Sequence, residues 1–294
     1  MQEKTIDGFM QLFHGRADVY GHDEGRCIKE PLTRDIWLGH LLGETPIGVY
    51  PIMDFSDGNY TAWGCSDIDI NDYSLAVALS DALYAAGVVS YIEVSRSKGY
   101  HVWVFAEELV LASDMRKMFL AAHQVAGIIA KEVNPKQSTL EVGKVGNYVR
   151  LPYPHGATTR RIVIDADRLC MTVDSFVEQA LETRTSLDLI AHIATYYQPP
   201  KSNAYVGEYA VCESVQEALK SVSPLGKVIW RDGPLAGRDR SSTLAKLGHE
   251  CVRSGMNPSE TGVLLQDADK RWGKYHLRAD GYIEIDKLIQ RVFL

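Results

Sequence analysis

The sequence has no apolar run long enough to span a bilayer, and its first residues, MQEKTIDGFM, lack the apolar core of a secretory leader. It is therefore expected to be cytoplasmic, with no membrane partner. Cysteine is scarce. The five residues Cys27, Cys65, Cys170, Cys212 and Cys251 stand singly, which argues against a disulfide framework and against a zinc module, so no zinc is expected. Positive charge is not in excess. Lys and Arg number 31 against 38 Asp and Glu, a net charge of −7, so the chain does not coat nucleic acid through its overall charge. Local basic grooves remain open to it. Internal repeats, low-complexity tracts and a GxxxxGK[ST] loop are all missing, so the chain is not a helicase by itself, and any unwinding partner is another polypeptide, a separate replicative helicase, or a region of a longer parent chain.

What is present is an ordinary globular composition, 46% hydrophobic and 23% charged over 294 residues, long enough for one large domain and a smaller one. The pattern predicts an α+β fold. GETPIGVYPIM leads into a short strand, TAWGCSDIDI alternates as a strand, and VVSYIEV and HVWVFA follow as two more. DYSLAVALSDALYAAG has helical spacing, with Asp72 or Ser74 as cap and Gly87 as stop, and ASDMRKMFLAAHQVAGIIAKEV reads as one long amphipathic helix. NYVRLPY and RRIVID are two more strands, giving mixed α and β elements around one sheet. DSFVEQALETRT and SLDLIAHIATYY are helices ended by QPPKSN, the best boundary signal in the chain. The expected organisation is 1–198, a linker over 199–210, and a module of four short helices over 211–294. Arg96 with Lys98, Arg160 with Arg161, Arg238 with Arg240, and Lys270, Arg271 and Lys274 form basic clusters, each of which alone reads as a solvated face.

Chemistry concentrates in three stretches. In WGCSDIDI, Asp67 and Asp69 lie two apart on an expected strand and share a face, their Cα atoms roughly 6–7 Å apart. Carboxylates held so suit Mg²⁺ or Mn²⁺, and two such ions about 4 Å apart clamp the attacking and leaving oxygens of a phosphoryl transfer. A lone DxD is more often a polar strand end facing water. SRSKGYHVWVF changes that weighing. Ser95, Ser97 and Lys98 are donors, Gly99 lets the backbone come close to a ligand, and successive N–H groups form an anion nest. His101 opens the next strand, with Trp103 and Phe105 on its face and Val102 and Val104 on the other. This arrangement favours a phosphate contact over a core histidine. The third stretch, EVNPKQSTLEVGKVGNYVRLPYPHG, offers Glu132, Lys136, Asn147, Arg150 and His155. Glu132 is the candidate third metal ligand, weighed evenly against an exposed residue at a helix C-terminus.

Together these residues resemble the archaeo-eukaryotic primase superfamily, the primase-polymerases. DID matches that family's first motif, SRSKGYH its second, and KEVNPK with NYVRLPYPHG its third. FHGRADVYG, HLLGETPIGVYP, WGCSDIDI, SRSKGYHVWVF and NPKQ, in that order, bring the chain closest to the phage, plasmid and conflict-system branch, over roughly residues 8 to 170. The third carboxylate departs from the commoner aspartate and stands farther than usual from VRLPYPHG, which leaves Glu141 and Asp165 as substitutes for Glu132.

The resemblance implies two small α/β subdomains around a cleft, one of them like an RNA-recognition motif, followed by a small all-α module. It implies primer synthesis on single-stranded DNA from NTPs or dNTPs, in phage or plasmid replication. Asp67, Asp69 and Glu132 would hold two Mg²⁺ or Mn²⁺ ions, and Ser95, Ser97, Lys98 and His101 the triphosphate, with Asn147, Arg150 and His155 near it. Arg16 and Tyr20 would line template or base, although a structural salt bridge and a core-edge tyrosine are the stronger reading. Arg238, Arg240, Lys270, Arg271 and Lys274 are the candidates for binding DNA or the initiating nucleotide. The rival readings are a primer-extending or gap-filling polymerase that does not initiate, a nuclease or template-independent nucleotidyltransferase, and a non-catalytic replication-initiation or single-strand-binding protein.

Overall fold

The computed structural model describes residues 2–199, 212 and 214–293, apart from 97, 131, 142, 235–238 and 277–280. The chain divides into two compact units, 1–198 and 199–294. No helix among the described residues is long and apolar enough to cross a membrane.

The first unit contains two antiparallel sheets, where the hydrophobic pattern predicted one. Four strands form the smaller sheet: β1 (Tyr20–His22), β2 (Cys27–Ile28), β3 (Ile47–Val49) and β9 (Val149–Arg150), in the order β2-β1-β3-β9. The larger sheet is ordered β10-β6-β7-β5-β4, from β4 (Met53–Phe55), β5 (Gly58–Ile68), β6 (Tyr91–Val94), β7 (Tyr100–Leu111) and β10 (Val163–Ile164), with β8 (Glu132–Asn134) also paired to β5. The break falls inside GVYPIM. Pro51 cannot donate to a ladder, so the run that reads as one strand splits, β3 joining one sheet and β4 the other.

The long helix expected from Ala112 to Val133 is also divided. α4 spans Ala112–Ala126 and stops at Gly127, which takes the left-handed conformation and lets its N–H bond back to the Gln124 and His123 carbonyls. Glu132 therefore opens a strand, where continued helical spacing would have left it at a helix end. α3 (Tyr73–Ala85) is capped by the Asp72 side chain accepting from the Ser74 N–H, as the pattern predicts.

The two faces of β7 carry separate cores. Trp103 and Phe105 join Trp63, Cys65, Tyr91, Phe13 and Phe176 in an aromatic core under α1 (Glu3–Leu12) and α5 (Val173–Glu182). Val102 and Val104 pack on the other side with α3, α4 and α6 (Leu187–Ala194). Burying each large ring contributes roughly 2–3 kcal/mol, so this central strand anchors whatever its first residue carries.

The second unit holds five helices among its described residues: α7 (Val215–Ser221), α8 (Pro224–Asp232), α9 (Arg240–Arg253), α10 (Pro258–Trp272) and α11 (Gly281–Phe293). α8 is missing from the four helices expected of the sequence. In fact Ser223 is the cap, accepting from the Gly226 N–H, and Pro224 sits in the first turn where its missing donor costs nothing. Leu244, Leu247, Leu264, Leu265, Ile285 and Leu288 form this unit's own core.

Candidate active site

Four polar residues far apart in sequence form one row across the larger sheet. On β6 and β7, Glu93 pairs with His101. On β7 and β5, His101 pairs with Asp67, and on β5 and β8, Asp67 pairs with Glu132. The row lies on the aromatic-core face, at the end where the core gives way to a cavity of about 180 Å³. Asp69 lies just beyond the end of β5 and lines the same cavity.

Glu93 is fully buried and fixes the histidine. Its Oε2 lies 2.9 Å from His101 Nδ1 and accepts from the Trp103 indole N–H at 2.8 Å. His101 Nε2 is thereby left facing the cavity, 3.8 Å from Asp67 Oδ1. Burial lowers the His101 pKa, but the charge and hydrogen bond of Glu93, with help from Asp67, outweigh it and raise the pKa above the usual histidine value. The Asp67 pKa is raised as well, which for a carboxylate disfavours the charged form. Burial pushes it up, His101 pulls it part of the way back, and Glu132, Asp69 and Glu93 add like-charge repulsion.

The facing wall is basic. Arg150 comes from β9 of the smaller sheet, Arg96 and Lys98 from the β6–β7 turn, and Arg161 from the segment before β10. Asp23, at the end of β1, holds the three arginines together. Its carboxylate lies 2.8 Å from Arg161, 3.3 Å from Arg150 and 3.5 Å from Arg96, and its carbonyl accepts from Arg150 and Arg96. Arg161 is itself buried and reaches to 3.9 Å from Glu93. The cleft thus has a carboxylate row on one sheet and a guanidinium cluster on the other side. That polarity suits a ligand carrying metal ions at one end and phosphates at the other.

The cavity brings Asp67, Asp69, Ser95, Lys98, His101, Glu132 and Arg150 together. Ser97 lies outside the described residues. Asn147 and His155 do not line it. The Asn147 carboxamide accepts from Gln137, and the His155 ring stands against Gly43 at the end of α2 (Arg34–Leu42). Neither Glu141 nor Asp165 lines it; the Asp165 carboxylate accepts from the Asp167 and Leu169 N–H groups of its own turn. Among the described residues no three His, Cys, Asp or Glu side chains are already drawn together at ligating separation, and Glu132 is held by Lys136 at 2.6 Å.

The SRSKGYH turn differs from an open nest. The Ser95 hydroxyl donates to the Lys98 carbonyl and the Ser95 N–H to the Gly99 carbonyl, closing a tight hairpin. Gly99 makes room for this chain's own backbone: a Cβ there would stand 2.0 Å from the Ile68 carbonyl oxygen. Arg16 pairs with Asp18 and Tyr20 is buried, in keeping with the structural reading of both.

Glu93, Asp23, Arg96 and Arg161 are the residues that sequence reasoning missed, the two arginines reading only as members of basic clusters on solvated faces. Glu93 did carry a signal, an acid in the middle of the apolar strand YIEV, since a buried carboxylate needs a partner. Asp23 carried none, because its three arginines are 73, 127 and 138 residues away.

In the second unit, Arg240 donates to the Trp272 and Gly273 carbonyls. Arg271 stacks on Trp230 and pairs with Asp267, Lys274 pairs with Asp239, and Lys270 is exposed. Arg238 lies outside the described residues.

Residues 24–169 match the family model of the archaeo-eukaryotic primase domain of TOTE conflict systems. No curated protein matches the chain. A solved structure described as the crystal structure of primase RepB′ is similar at 11% identity and a TM-score of 0.31, over 99% of this chain and 93% of that one, a likeness too weak to bear on function.

Proposed function

With residues 24–169 belonging to the archaeo-eukaryotic primase superfamily, in its phage, plasmid and conflict-system branch, we propose that this chain is a primase-polymerase. It joins nucleoside triphosphates on a single-stranded DNA template and begins chains without a primer. The observation that carries this reading is the row Glu93–His101–Asp67–Glu132 facing Arg96, Lys98, Arg150 and Arg161 across one cleft.

The residues fit a divalent metal site. Asp67, Asp69 and Glu132 are hard oxygen donors, and the Asp67 carboxylate, its pKa raised first by burial and then by the charges of Glu132, Asp69 and Glu93, is one that a bound cation would stabilise in its ionised form. These three would hold Mg²⁺ or Mn²⁺, with Glu132 giving up Lys136, and such ions would lower the pKa of the attacking 3′-hydroxyl and offset negative charge on the phosphoryl oxygens. The arginines, Lys98 and the His101 imidazolium bind and orient the triphosphate. The 3′-oxygen forms its bond to the α-phosphorus as the bond to the pyrophosphate oxygen breaks, and the hydroxyl proton leaves to water. The chain's contribution is positioning and electrostatics, as is usual in phosphoryl transfer.

The test supplies unprimed single-stranded DNA, labelled NTPs or dNTPs, and Mg²⁺ or Mn²⁺, beside the D67A/D69A double variant. Template-dependent short products from the wild type alone are expected. Extension of a supplied primer without initiation would reassign the chain as a polymerase. Absence of both reactions would refute the enzymatic reading and favour a binding protein.

A further inference from the structure

The two walls of the cleft carry opposite charge and yet do not pair. Arg96, Arg150, Arg161, Asp67, Asp69 and Glu132 all line one cavity of about 180 Å³. Among the described residues no ion pair joins any of these arginines to any of these acids. Unlike charges this close draw together, and a guanidinium seated on the carboxylates would fill the space that a cation and a phosphate need. Each wall instead carries its own counter-charge. Asp67 has His101 and Glu132 has Lys136. The basic wall has Asp23.

Asp23 does not line the cavity; it stands behind the arginines that do. Its backbone is fixed in the turn after β1, where its N–H donates to the Pro46 carbonyl and the Gly25 N–H to the His22 carbonyl. Arg161 is buried and anchored at two points, donating to the Asp23 carboxylate at 2.8 Å and to the Leu151 carbonyl. Arg150 and Arg96 are freer, their side chains 38% and 58% exposed. Among the described residues Asp23 is the only hydrogen-bond and ion-pair partner of both, through its carboxylate and its carbonyl together.

We propose that Asp23 is a positioning residue: it holds Arg96 and Arg150 on their own side of the cleft, set for phosphate and kept off the metal ligands. The proposal rests on the reading of this wall as the triphosphate site. Charge and positioning pull the affinity in opposite directions. Removing a negative charge from beside three guanidiniums makes the wall more positive, and Coulomb attraction alone would then tighten anion binding. Loss of positioning weakens it, because each freed side chain must be ordered again on binding or drawn back from a carboxylate across the cleft.

The test is calorimetric titration of the full chain with inorganic triphosphate, without divalent metal. D23N is expected to raise the Kd roughly five- to tenfold, from two side chains no longer held in place, and D23E, which keeps the charge, to restore most of the affinity. A Kd that falls or stays level in D23N overturns the proposal, as does a wild type that binds no triphosphate. With neither template nor metal present, the result stands apart from polymerisation: weakened binding by D23N in a chain that makes no product refutes the enzymatic reading and leaves the role of Asp23 standing. D23N takes a buried partner from Arg161 and so strains folding, and a second measurement needs no change at Asp23. In protein carrying isotope-labelled arginine, the Arg96 and Arg150 side-chain N–H signals, assigned with R96K and R150K, are expected to be rigid before triphosphate is added. Side chains that become rigid only on its addition overturn the proposal.

Discussion

Replacing Gly99 by Ala tests how the SRSKGYH turn and the aspartates are held in register. Gly99 has φ +92°, and its missing Cβ leaves space for the Ile68 carbonyl oxygen, 2.0 Å from where that Cβ would stand, with Ile70 N at 3.0 Å. Both contacts are backbone and flank Asp69, so no side-chain rotation relieves them. Two costs add. The positive φ costs a residue with a Cβ about 1–2 kcal/mol, and forcing a methyl into filled space about 1–3 kcal/mol more. A second glycine isolates the clash. Gly25 has nearly the same φ, +94°, and nothing within 4 Å of its would-be Cβ. G25A is therefore expected to lose about 1–2 kcal/mol, and G99A about 2–5 kcal/mol, both measured by urea unfolding. The turn must also lift by an ångström or more, carrying His101 away from Asp67, and displacement on that scale costs about 100-fold in rate. Equal unfolding free energies for the two variants would refute the close approach, and a stable G99A with wild-type kcat would refute its role in aligning the site.

Two further perturbations separate charge from geometry. E93Q keeps the shape of the buried side chain but removes the charge that overrides burial at His101. In the wild type the imidazolium persists above the ordinary histidine pKa, so nucleotide KM rises as pH climbs through that raised value. In E93Q burial acts without that charge and the transition moves to lower pH, so nucleotide KM just above the ordinary histidine pKa is higher than in the wild type. A pH profile that does not move refutes Glu93 as the group that sets the His101 charge. His40 is fully buried, bonded to the Pro152 carbonyl and the Ile47 N–H, and burial pushes its pKa down to about 3. Below the unfolded value near 6.5 the unfolded chain takes up a proton that the folded chain refuses, so stability falls with pH, by about 2 kcal/mol at pH 5. Denaturant titrations of wild type and H40Q between pH 7.5 and 5 measure this difference, and parallel curves would contradict it.

Residues close in sequence gave up most of their meaning without a structure. The period-two pattern of HVWVF assigned its two faces, the DID spacing set two carboxylates on one side, and Asp72 with Gly87 bounded a helix, because strand alternation and capping are local physics. The helical spacing of ASDMRKMFLAAHQVAGIIAKEV misled, since an amphipathic period does not report where a glycine terminates it. GVYPIM misled for a similar reason: one apolar run served two sheets.

The sequence by itself determined the ingredients, namely which residues are acids, donors and aromatic anchors and which short segments are strands or helices. Tertiary structure decided their company. Strand pairing set Glu93, His101, Asp67 and Glu132 in one row although they lie up to 65 residues apart, because register is a property of neighbouring strands and is written in neither strand alone. The gathering of Arg96, Arg150 and Arg161 on Asp23 likewise waited on two sheets meeting. Long-range charge pairs leave no periodic trace in a sequence, so the basic wall became visible only once the chain was folded.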